Sequence, residues 1–183
     1  MGAAIFDPTR LDLQAFAAHA GELEGRWPLT HLERLADSAA PEARPGADDE
    51  VSWRARGVQV ASRDGMPEIW LHLEAATTIS LECRRCLEPV EVPLRVDTRL
   101  RFVRGEEAAA ELDAESEYDV LPLTRALDLR VLIEDELLLS LPVLPAHEVC
   151  PNPLPAVFGE PDVDTQASAF AALADLKRRG KAN

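Results

Sequence analysis

The sequence predicts an α+β fold: an antiparallel sheet with helices packed against it, N-terminal helices and an extended C-terminal tail ending in a short helix. Three observations carry this. From Ile69, the residues Leu71, Leu73, Ala75, Thr77, Ile79, Leu81 and Cys83 alternate with Glu68, Trp70, His72, Glu74 and Glu82, the period-two pattern of a half-buried strand. Val96, Thr98, Leu100 and Phe102 repeat it, opposite Arg95, Asp97, Arg99 and Arg101. Residues 127–141 then switch to helical spacing, with Leu129, Leu132, Glu136 and Leu139 on successive turns and Pro142 as a stop.

The elements follow in order. Asp7-Pro8-Thr9 opens a first helix, whose apolar stripe is Leu11, Leu13, Phe16 and Ala17, and Gly21 ends it. Residues 23–28 form a short strand. Thr30 and Glu33 have the spacing of a capping box, which starts a second helix with Leu32 and Leu35 inward. Residues 40–48 are a loop by composition. A weaker strand over 51–61 puts Trp53 and Ala55 on one face and Val58 and Val60 on the other, with Gly57 as a bulge. Residues 62–65 turn into the next strand. Residues 106–119 read as an acidic mobile link, poor in large apolar side chains. The chain therefore divides into an α+β domain over 1–150, with its sheet at about 51–104 and a helix at about 127–141, and a tail over 151–183. The tail carries a short helix over about 168–179, on which Phe170, Leu173 and Leu176 share a face.

Composition bounds the function. The 183 residues contain 33 acids and 19 bases, a net charge of -14, so RNA phosphate cannot coat the whole surface. The charge is uneven, however. Residues 51–105 hold nine arginines against seven acids, and the remainder holds ten bases against twenty-six acids. Arg95, Arg99 and Arg101 line one strand face, with Arg84 and Arg85 beside them, and such a face suits RNA phosphate. The alternative is that these arginines pair across strands with Glu74, Glu82 and Glu91. No stretch is long and apolar enough to cross a bilayer, and the N-terminus has no export signal, so a soluble, cytoplasmic protein is expected. Three cysteines, an odd number, argue against a secreted disulfide framework.

Cys83-Arg84-Arg85-Cys86 is the sharpest local signal. Two cysteines three apart at a strand end turn both sulfurs toward one point, and His147 and Cys150 repeat that spacing. Cys83, Cys86, His147 and Cys150 would complete a Cys3His tetrahedron holding one zinc per chain. The alternative is a reduced, unliganded thiol pair and a loop histidine. Glu134, Asp135 and Glu136 cannot act together on one substrate atom, since consecutive helical residues point about 100° apart. They read as an acidic patch facing solvent or a partner. With no glycine-rich phosphate cradle, nucleophile elbow or His-Glu-x-x-His helix, neither a catalytic site nor a small-molecule substrate is expected.

Further motifs follow the cysteine pair in order: Glu134-Asp135-Glu136 running into Leu141-Pro142, then Pro145, His147 and Cys150, then Phe158-Gly159-Glu160, and the ending Phe170, Leu173, Leu176-Lys177. The series resembles the YceD-like proteins, the large ribosomal RNA subunit accumulation family, from about Ile5 and most strongly over Ile79 to Cys150. The resemblance implies a non-enzymatic bacterial factor that promotes accumulation of 23S ribosomal RNA. It implies no ligand or catalytic residues, so the zinc set rests on spacing alone. Two mechanisms follow: contact with large-subunit RNA or its precursor through the arginine face, or an adaptor whose acids hold a basic ribosomal protein or an RNA-processing factor.

Overall fold

In the computed structural model, which describes residues 6–61, 65 and 67–152, the alternating segments form one five-stranded sheet in the order β1-β2-β3-β4-β5. The strands are β1 (Glu22–Pro28), β2 (Glu50–Val60), β3 (Glu68–Glu82), β4 (Pro89–Val103) and β5 (Val120–Pro122). Neighbours from β1 to β4 pair antiparallel, with short connections from β2 to β3 and from β3 to β4 and a longer one, carrying a helix, from β1 to β2, while β5 lies parallel to β4. The sheet is thus mixed, and it extends beyond 51–104 at both edges.

A parallel neighbour needs a crossover, and the expected mobile link supplies it. Residues 106–119 contain a helix, α3 (Glu106–Asp113), with Ala109 buried. Asp113 then accepts a hydrogen bond from the Val120 amide at 2.8 Å, which aims the chain into β5. Alanine supplies the buried face, so a scan for large apolar residues passes over it.

The strand faces fall as the alternation requires. Ile69, Leu71, Leu73, Ala75, Ile79 and Leu81 are buried, beside Leu94, Val96, Leu100 and Phe102 of β4. Register joins them: Leu71 opposes Leu100 and Ile69 opposes Phe102. Three helices cover this face: α1 (Leu13–Ala18), α2 (Glu33–Asp37) and α4 (Leu129–Leu139). In α4 the inward residues are Leu129, Leu132, Ile133 and Leu137; Leu139, expected on the inward stripe, is instead 79% exposed.

Gly57 is not a bulge. It pairs in continuous register with Leu71, and its lack of a side chain admits α1. A Cβ there would sit 2.7 Å from Phe16 Cδ1 and 2.9 Å from the Ala17 Cα. Gly57→Ala is therefore expected to cost about 2 kcal/mol through overpacking against backbone, read from the midpoint of a urea melt. A cost under about 0.5 kcal/mol would mean that α1 is not held against the sheet.

The helix starts also differ from expectation. Asp7 closes a turn on Thr9, and α1 begins only at Leu13, capped by the Asp12 side chain on the Ala15 amide at 3.0 Å. Thr30 lies in a 3₁₀ turn, Leu29–His31, and makes no cap for α2. The cap comes from another helix. Glu134 Oε1 accepts from the amides of Arg34 (2.7 Å) and Leu35 (3.2 Å), while Oε2 takes Arg34 Nε (3.0 Å) and Nη2 (2.7 Å). Glu134 is only 7% exposed, which corrects its placement on a partner-facing patch. Asp135 binds the same guanidinium at 2.6 Å, and only Glu136 of the three is left without an ion pair among the described residues.

All described elements belong to the unit Met1–Pro153. The expected tail helix at 168–179, the Phe158-Gly159-Glu160 motif and most of the 62–65 turn lie outside the described residues. Among those described, no helix is long and apolar enough to cross a membrane.

Candidate metal centre and the arginine face

The β3–β4 hairpin builds the first half of the centre. Glu82 pairs with Pro89, so residues 83–88 must reverse the chain. They do so through Leu87 N–H to the Cys83 carbonyl (2.9 Å) and Cys83 N–H to the Glu88 carbonyl (3.0 Å), with Leu87 in the left-handed region at φ 66°. This turn buries both Cys83 and Cys86. The second half docks beside it: the Arg84 amide donates to the Pro145 carbonyl at 2.9 Å and brings in the segment with His147 and Cys150.

The four donor atoms converge. Sγ of Cys83, Cys86 and Cys150 and a ring nitrogen of His147 all lie within 4.8 Å of one another. Cys83 Sγ and Cys150 Sγ are 3.9 Å apart, and Cys86 Sγ is 3.4 Å from His147 Nδ1. A tetrahedron with zinc–sulfur bonds of ~2.3 Å has sulfur–sulfur edges of roughly 3.8 Å, so the cluster has the dimensions of an ion's coordination shell. The histidine is oriented for the same purpose. Its Nε2 is 3.1 Å from the Pro89 carbonyl, which can only accept, so Nε2 carries the proton and Nδ1 offers its lone pair to the sulfurs.

The thiols differ in acidity. Burial pushes Cys83 up, but backbone N–H groups of Arg85, His147 and Cys86 aimed at its sulfur outweigh it and hold the thiol at about 5. Cys150 is pushed up to about 11, by burial and then by its bonds to Cys86 and Cys83. A thiolate at Cys83 penalises a second one at Cys150, and a dication at the centre would remove that penalty. Three sulfurs and one imidazole gathered within 4.8 Å of one another could hold a metal ion, and this donor set is one that structural zinc accepts.

The arginines divide into free and engaged. Arg95 and Arg99 stand exposed on the outer face of β4, without an ion pair among the described residues. Arg101 does not join them: it donates to Glu68 at 2.9 Å and is only a quarter exposed. Cross-strand pairing does occur, but with other acids, Arg54 to Glu24 at 2.9 Å and Arg56 to Glu22 at 2.7 Å. Arg84 and Arg85 are exposed on the cysteine turn, Arg85 reaching the Glu148 carbonyl at 3.4 Å.

Fold and centre together define a small α+β protein with a cysteine–histidine knuckle at one end of its sheet. Residues 71–177, more than half of the chain, match the family model described as Large ribosomal RNA subunit accumulation protein YceD, and the chain belongs to that family. Among curated proteins it is similar to the Large ribosomal RNA subunit accumulation protein YceD of Haemophilus influenzae (strain ATCC 51907 / DSM 11121 / KW20 / Rd). The two are 28% identical over 160 residues, which is 85% of this chain and 87% of the relative. No solved structure matches it.

Proposed function

We propose that this chain is a non-enzymatic, cytoplasmic factor that promotes accumulation of 23S ribosomal RNA by direct contact with large-subunit RNA or its precursor. Arg95 and Arg99 on the open sheet face, with Arg84 and Arg85 on the knuckle, make the contact. One zinc per chain, held by Cys83, Cys86, His147 and Cys150, fixes the knuckle so that its arginines are presented in one arrangement. The observation that carries the reading is the pair of exposed β4 arginines that engage no acid among the described residues, in a protein whose net charge is -14.

Loss of the protein is expected to lower mature 23S RNA relative to 16S, and the wild-type chain to restore it. The double variant Arg95→Gln, Arg99→Gln leaves the Arg101–Glu68 pair intact and should fold. Its affinity for large-subunit RNA should fall, and the salt slope should shrink by about 0.7 for each single-strand phosphate that the variant no longer neutralises. Full rescue of 23S RNA with unchanged affinity would overturn RNA contact. The second reading, a protein-binding adaptor, draws on Glu136, whose carboxyl is raised by burial and then by Asp119 and Asp135. A cationic partner would relieve that crowding, and under this reading Glu136→Lys, not the arginine variant, abolishes rescue.

A further inference from the structure

The outer sheet face holds a hollow of about 380 Å³ lined by Arg56, Val58, Val60, Trp70, His72, Arg99 and Tyr118, with Leu71 at its edge. Its position follows from register. Arg56, His72 and Arg99 form one row across β2, β3 and β4, and Val58, Trp70 and Arg101 form the next. Tyr118, from the segment before β5, stands edge-on to Trp70 with ring centroids 5.3 Å apart at 89°.

Large apolar groups are out of place here unless something covers them. Val58, Val60 and Tyr118 are 36%, 44% and 46% exposed on a face whose other outward positions are mainly charged or small polar side chains. The indole N–H of Trp70 is already satisfied by Glu68 at 3.0 Å, so that aromatic site presents carbon surface rather than a polar edge. The lining itself holds Arg56, His72 and Arg99 and no acid, while Asp97, Glu117 and Asp119 stand on the far side of Arg99 and Tyr118, in the hollow that those two residues share. Arg56 is held by Glu22 and His72 by Asp97, which leaves Arg99 as the cation with no ion pair among the described residues. Inside the hollow, a lysine or arginine from a partner protein would meet the like charge of Arg99. A nucleotide meets carbon surface for its base and Arg99 for its phosphate, the pairing by which sheet surfaces hold unpaired bases.

We infer that this hollow binds one unpaired nucleotide of single-stranded RNA, its base against Trp70 and Tyr118 and its phosphate on Arg99. The inference rests on the RNA-contact reading above and narrows it to one site and one strand state. The probe is a fluorescently labelled, unstructured 12-nucleotide RNA, measured by anisotropy beside a duplex of the same length. Tyr118→Ala removes an exposed ring and should weaken single-strand binding roughly tenfold. Tyr118→Phe should bind like the wild type, and ultraviolet crosslinks should map to Trp70 or Tyr118. The duplex, whose bases are stacked and paired, should be insensitive to Tyr118→Ala. If the wild type binds the single strand and Tyr118→Ala and Trp70→Leu bind it equally well, the hollow is not the base site, while arginine-mediated contact stands. If the wild type binds neither RNA, both readings fall together. A lysine-rich peptide that binds in a Tyr118-dependent way would assign the hollow to a protein partner and overturn the inference.

Discussion

Glu134→Ala is expected to destabilise the folded chain by about 3 kcal/mol, although residue 134 lies on a helix in a strongly acidic run. The carboxylate is a two-sided acceptor. One oxygen closes the N-terminus of α2 on the amides of Arg34 and Leu35, and the other takes the Arg34 guanidinium in a fork. The Arg34 side chain is 52% exposed, so its ion pair contributes little after solvent screening. The larger share comes from the amides. Leu35 is fully buried, and its N–H would lose its partner where water does not replace it. A denaturant melt reads the loss, and amide exchange at Arg34 and Leu35 locates it. Glu134→Gln keeps one carbonyl acceptor and should recover part of the stability. A cost for alanine below about 1 kcal/mol, with protection at those amides unchanged, would show that α2 is held by its apolar contacts alone.

That cap also shows where sequence reading stops. The inward faces of β3 and β4 were legible, because burial on one face of a twisted sheet enforces a period of two over many residues. A cap supplied by a carboxylate a hundred residues downstream leaves no local pattern. Thr30 and Glu33 have the spacing of a capping box, yet the 3₁₀ turn at Leu29–His31 places Thr30 two residues before the N-cap position, which is Leu32. β5 is only three residues long, and its parallel partner is set by the crossover through α3 rather than by any alternation of its own.

The candidate centre divides in the same way. The equal spacing of Cys83–Cys86 and His147–Cys150 was enough to group four donor residues across a long loop. Their orientation was not legible, since the Pro89 carbonyl that sets the His147 tautomer and the Pro145 carbonyl that docks the second pair are backbone groups without a side-chain signature. The Trp70–Tyr118 hollow was missed for a related reason. Tyr118 belongs to a segment whose composition reads as an acidic mobile link, and the crossover returns it to the outer sheet face.

Protein purified without chelator is expected to carry about one zinc per chain, and Cys150→Ser to carry almost none. The sheet core around Leu71, Leu73 and Leu100 does not use the knuckle, so the metal-free chain should keep its secondary structure and lose stability instead. With free zinc a thousandfold above the dissociation constant, that loss is about 4 kcal/mol, seen as a lower melting temperature after chelation. The loss should be local as well: exchange at the Arg84 amide, bonded to Pro145, should accelerate when the metal leaves. The pH dependence has a definite sign. Zinc binds thiolate, and Cys150, pushed up to about 11, must give up its proton at neutral pH, whereas Cys83, held at about 5, has already done so. Binding at pH 7 should therefore release at least one proton, measurable from the dependence of the calorimetric heat on buffer ionisation. Affinity should strengthen as pH rises and weaken steeply on acidification toward pH 5, where Cys83 also begins to protonate. A chain that holds no zinc from a zinc-replete culture, and melts identically with and without chelator, would reduce the cluster to three thiols and a histidine.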